Sequence, residues 1–118
     1  MELTIRVVDE TESGELNERF RGRSGATNVL SFPLRPVSVV MPTLGDLVIC
    51  GPVVAREADA QGKTLAAHLA HMVVHGVLHL CGYEHEKEQT ARDMETMETR
   101  VLTGLGFPGP YAVREAVD

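Results

Sequence analysis

HMVVHGVLHLCGYEHE, residues 71–86, holds four of the five histidines in this 118-residue chain. Thr64 is a suitable N-cap, and the apolar run that follows predicts a helix over residues 65–80, stopped in the left-handed conformation at Gly82. On such a helix His75 and His79, four apart, stack about 6 Å from one another and can face one ion. A third ligand must come from off the helix. The turn that Gly82 permits carries Tyr83, Glu84 and His85 back toward the same face. Three imidazoles with a coordination place left for water are the donor set of a catalytic rather than a structural zinc site, so one Zn2+ on His75, His79 and His85 is expected. A histidine in an apolar helix is more often simply a core residue, and His68 and His71 are read that way, or at most as supports for the ligands. A His71/His75 pair would leave His85 unexplained, because His71 lies a further turn, about 5.4 Å, from the end that faces the loop.

The spacing H-x3-H-x5-H, with a glycine three residues after the second histidine, is that of the zinc-protease motif H-E-x-x-H-x-x-G-x-x-H. The glutamate that serves as general base in that motif is Gly76 here, which weighs against a metalloprotease-like hydrolase. A glycine in mid-helix costs about 1 kcal/mol relative to alanine. A close approach of substrate or of another backbone segment is the expected reason for it.

Outward from this helix the pattern alternates between strands and helices. Residues 3–8 read as a strand, and Asp9 caps a short helix to about Phe20, weakened by Gly14. RGRSGATN is loop, VLSFP a second strand ended by Pro33, and GDLVIC at 45–50 a third. Pro52 suits the first turn of a helix running to about Gln61, with Gly62 at its end. A last helix over residues 86–103 carries Met94, Met97, Val101 and Leu102 on one side. The expected class is α+β: a single domain over residues 1–118, with a small mixed sheet packed against helices and the histidines on a central helix.

Composition narrows the function. No apolar run reaches the roughly 18 residues of a membrane span, and MELTIRVVDE has none of the features of a secretory signal, so a cytoplasmic protein is expected. Cys50 and Cys81 read as free thiols. The net charge of −6 is uneven. Between residues 19 and 45 the chain carries Arg19, Arg21, Arg23 and Arg35 and no acid, whereas residues 84–100 hold six acids. The arginine segment is either a local phosphate-binding patch or an ordinary solvated loop.

Three blocks, taken together, resemble one family. HGVLHLCGYEH is similar to the H-G-x-L-H-L-x-G-[YH]-[DE]-H signature of the YbeY family of bacterial metal-dependent endoribonucleases. ELNERFRGRSGATNVLSFP at 15–33 resembles its E-L-N-x-x-[YF]-R-G-x-x-x-x-T-[DN]-V-L-S-F-P block, and LGDLVIC at 44–50 its L-G-D-[IL]-x-I strand. The resemblance implies a zinc-dependent, single-strand-specific endoribonuclease in ribosomal RNA processing, in particular 3′-end maturation of 16S rRNA, and in ribosome quality control. Its partners would be single-stranded RNA and the ribosomal RNA precursor or ribosome. It also implies zinc on His75, His79 and His85, with Arg21 and His75 serving catalysis. A guanidinium suits that role because it binds phosphate bidentately. Glu84 is a candidate for proton transfer, and Thr27, Asn28 and Ser31 for substrate contact or plain turn hydrogen bonds. The remaining alternative is a non-catalytic ribosome-associated factor whose fold zinc stabilises. Family members usually carry a strand and helix ahead of the strand that begins here at Leu3, so an incomplete sheet edge is expected.

Overall fold

The structure is a computed structural model that describes residues 2–33, 43–83 and 88–111. Three strands, β1 (Glu2–Val8), β2 (Val29–Pro33) and β3 (Thr43–Cys50), and four helices, α1 (Glu10–Arg21), α2 (Gly51–Ala60), α3 (Leu65–Leu80) and α4 (Glu88–Gly104), form an α+β domain. β3 is central, parallel to β1 and antiparallel to β2. Strand alternation sends successive β3 side chains to opposite faces. On one face Val48 joins Val8 and Leu30 beneath Leu16 of α1 and Phe32 of β2. On the other, Ile49 joins Val54 of α2 and Met72 of α3, with Val29 and Val73 alongside. β1 is the exception. Its odd residues Leu3, Ile5 and Val7 pair beside Gly45, Leu47 and Ile49, yet all three are exposed while Leu47 and Ile49 are fully buried.

Local signals set the helix ends. The Asp9 carboxylate accepts from the Glu12 N–H at 2.9 Å, satisfying an orphan donor of α1. Thr64 does the same for Ala67 at 3.1 Å, which fixes where α3 begins. Pro52 sits in the first turn of α2, where its missing N–H costs nothing. α3 then packs on β2, β3, α2 and α4, with Gly76 against the sheet and the histidines His71 and His75 toward Glu98 of α4.

Gly76 owes its place to the sheet. A β-carbon there would lie 2.7 Å from Leu47 Cδ2 and 3.3 Å from Ser31 Oγ, and the Ser31 hydroxyl donates to the Gly76 carbonyl at 3.0 Å. The close approach expected at this position comes from β3 and β2 side chains. Position 76 has no room for the glutamate of the protease motif.

Candidate metal centre

His68, His71, His75 and His79 form one stripe along α3, with successive ring centroids 6.0, 6.3 and 4.6 Å apart. The last pair is the tightest, and its Nε2 atoms face one another at 3.1 Å. The partners of the opposite ring nitrogens decide what this contact means. The Nδ1 of His79 is 2.9 Å from the Tyr83 carbonyl, which can only accept, so Nδ1 carries the proton. The Nδ1 of His75 lies 3.4 Å from Oε1 of Glu98. Burial pushes the Glu98 pKa up, but the hydrogen bonds it accepts from His71 and then His75 override it and hold the carboxyl at about 2. Glu98 is therefore ionised at neutral pH, and it too only accepts. Both imidazoles thus turn Nε2 lone pairs toward one point. Two nitrogens on a tetrahedral zinc ion at ordinary bond lengths stand about 3.3 Å apart, so the pair fits a divalent cation.

The backbone delivers the Tyr83 carbonyl. Gly82, at φ 98°, ends α3 with the Tyr83 N–H on the Leu78 carbonyl and the Gly82 N–H on the His79 carbonyl, both 3.0 Å, the paired bonds of a Schellman turn. The same turn sets the Tyr83 carbonyl against Nδ1 of the His79 ring. His85 and Glu84, which the sequence reading brought to this site, lie outside the described residues.

Beyond the two helical histidines the structure adds groups from distant parts of the chain. Glu98 of α4 is 1% exposed, and its Oε2 is 2.5 Å from Nε2 of His71. The Tyr111 hydroxyl donates to both Glu98 oxygens at 3.0 and 3.1 Å. Burial and the Glu98 charge push the Tyr111 phenol well above its ordinary pKa. His71, His75 and Glu98 offer ligand atoms within 4.8 Å of one another, so they too form a set of metal-binding groups. Each contact in that set already matches a donor to an acceptor, whereas the His75/His79 contact sets acceptor against acceptor. Sequence reasoning missed Glu98. The signal was its place midway between Met94 and Leu102 at helical spacing, a carboxylate inside a buried stripe.

His68 is a core histidine, as expected. It is buried and bonded to Glu57 at 2.9 Å, and Glu57 also accepts from Asn28. The backbone N–H and carbonyl of Thr27 exchange hydrogen bonds with the Ser13 hydroxyl, while the Asn28 amide donates to Glu57 and the Ser31 hydroxyl to the Gly76 carbonyl. Cys50 is a buried and Cys81 an exposed free thiol.

Arg21 is the last residue of α1 and is exposed, with no ion pair to another described residue. Its neighbour Phe20 packs edge-on against Phe32 at 5.2 Å. Phe32 and Pro33 pair with Asp46 and Gly45, and a β-carbon on Gly45 would meet Leu80, the residue after His79, at 2.9 Å. The C-terminal ends of α1 and α3 thus lie toward the same end of the sheet, α1 on its Val48 face and α3 on its Ile49 face.

None of the described helices is long and apolar enough to cross a membrane. A family profile described as Endoribonuclease YbeY matches residues 1–106. The chain is also similar to TM1509 from Thermotoga maritima, known from a solution structure. The two are 30% identical, with a TM-score of 0.54, and the match covers 88% of this chain and 70% of that one. On the breadth of the profile match, together with these histidines, the chain belongs to the YbeY family of endoribonucleases.

Proposed function

We propose that this protein is a zinc-dependent endoribonuclease of the cytoplasm that cuts single-stranded RNA during ribosomal RNA maturation, at the 3′ end of the 16S precursor, and in ribosome quality control. The observation that carries the reading is the His75/His79 pair. Their Nε2 atoms face at 3.1 Å while a carbonyl and an ionised carboxylate hold their Nδ1 protons. His85 completes the ligand set. Zinc held there supplies a Lewis acid that polarises the scissile phosphodiester. Arg21, at the same end of the sheet, binds a phosphate oxygen pair through its planar fork and stabilises the charge that develops during cleavage. The uneven charge supports an RNA substrate: the arginines of residues 19–23 stand on an otherwise acidic protein and give the phosphate backbone one place to dock.

The test is cleavage of a labelled single-stranded RNA by the zinc-loaded protein, beside a duplex of the same sequence. His75→Ala and His79→Ala are expected to abolish turnover. Arg21→Ala should lower kcat about 10²- to 10³-fold, and Arg21→Lys should restore little of it, since a point charge lacks the fork. Cleavage that survives both histidine substitutions, or that proceeds equally on duplex RNA, defeats the proposal.

A further inference from the structure

A charged residue in the middle of a buried stripe needs a reason. Met94, Glu98 and Leu102 are each 1% exposed, and apolar side chains in all three places would pack α4 against α3 at least as well. Glu98 keeps its charge through three donors. His71 and Tyr111 hold Oε2 at 2.5 and 3.1 Å, while Tyr111 and His75 reach Oε1 at 3.0 and 3.4 Å. The Nδ1 atoms of His71 and of His68 are alike buried with no hydrogen-bond partner among the described residues. Two of the three donors thus fasten the carboxylate. The third is the histidine that also faces His79.

From this arrangement we propose that Glu98 is a positioning residue of the metal centre, clamped by His71 and Tyr111 so that it fixes the tautomer and ring angle of His75. Holding the proton on Nδ1 leaves the Nε2 lone pair directed at the cation, and the negative charge behind the ring makes Nε2 a stronger donor. His79 obtains the same service from the neutral Tyr83 carbonyl. The two ligands are therefore supported by different means, one by a charge from α4 and one by the backbone of its own helix end. Tyr111, seven residues beyond α4, ties the segment after that helix to the site. This assignment rests on the metal reading of His75 and His79.

The test measures zinc affinity by competition with a chromophoric chelator, and the visible absorption of the protein loaded with cobalt(II). Glu98→Gln should weaken zinc 10- to 100-fold while the tetrahedral cobalt spectrum persists, because the ligands are unchanged. Tyr111→Phe should weaken it in the same direction by less. It removes one hydroxyl from a partly exposed ring, so it decides the matter should Glu98→Gln fail to fold. Glu57→Gln is the control: it alters the other carboxylate bound to an α3 histidine, His68, which does not touch His75, and zinc affinity should hold. Unchanged zinc affinity in both Glu98→Gln and Tyr111→Phe overturns the proposal, as does an equal loss in Glu57→Gln. If Glu98→Gln erases the cobalt spectrum while His79→Ala keeps it, Glu98 is itself a ligand and the positioning role is wrong. Absence of zinc binding by the unaltered protein removes the metal reading and this assignment together.

Discussion

Gly14 of α1 and Gly76 of α3 both stand inside helices, and replacing each in turn by alanine separates conformational preference from packing. In both helices the substitution gains about 1 kcal/mol of intrinsic propensity. At Gly14 the new methyl group meets its nearest atoms, in Gly25 and Ala26, at 3.7 Å, an ordinary contact, so the gain is kept. At Gly76 the methyl group arrives 2.7 Å from one Leu47 methyl and 3.2 Å from the other. Leu47 is 0% exposed and cannot swing aside without moving its neighbours on β3. Overpacking of this kind costs about 1–3 kcal/mol, which outweighs the propensity gain. The Ser31 hydroxyl, 3.3 Å from the same point, adds a polar atom that must give way. Gly14→Ala should thus be more stable by about 1 kcal/mol and Gly76→Ala less stable by about 1 kcal/mol. At about 4 °C per kcal/mol, their melting temperatures should differ by about 8 °C. Urea unfolding of the metal-free forms gives the same comparison without a contribution from ligand. A Gly76→Ala protein as stabilised as Gly14→Ala would show that the α3–β3 approach does not constrain this position, and the steric case against a glutamate there would go with it.

Other outcomes follow from single contacts. Hydrogen bonds from His71 and His75 hold the folded-state pKa of Glu98 at about 2 against an ordinary 4.5, so the stability this carboxylate confers is present above pH 4.5 and lost as pH falls toward 2. Unfolding midpoints at pH 5 and pH 3 should therefore differ less in Glu98→Gln than in the unaltered protein, and an equal drop refutes the linkage. Glu57→Ala strands the buried His68 ring nitrogen and the Asn28 amide, and should cost about 1–3 kcal/mol by urea titration. At Gly45, with φ 146°, a β-carbon would stand 2.4 Å from the Phe32 carbonyl oxygen, so Gly45→Ala should lose about 2–4 kcal/mol and unfasten the β2–β3 pairing. Hydrogen exchange at the β2 amides would register that loss as faster exchange.

The parts of the fold that local chemistry dictates were legible. Thr64 and Gly82 bracket α3 at Leu65–Leu80, Asp9 starts α1, and VLSFP is β2 as read. β3 begins earlier than GDLVIC, at Thr43, because the first of its residues finds a partner in Glu2 of β1, which the strand pattern alone does not show. The expected apolar side of α4 holds for Met94 and Leu102, but Val101 is exposed and the stripe runs through Glu98 instead. The same limit applies to the site. His75 and His79 are adjacent by helical periodicity, whereas Glu98 reaches His75 from α4 and Tyr111 reaches Glu98 from the turn beyond, brought in only by tertiary packing. A glutamate in an amphipathic helix reads as solvated until its neighbours are known. Gly76 was legible as an anomaly but not in its cause, since Leu47 lies 29 positions away in the chain.

Gly82 meets the site only through its backbone N–H on the His79 carbonyl, and a β-carbon there would meet open space. Its φ of 98° nevertheless directs the Tyr83 carbonyl onto His79, and so decides which face of that imidazole stays basic. Chain stereochemistry is in this way transcribed into a choice of tautomer: a residue without a side chain governs which ring nitrogen keeps its lone pair three positions upstream.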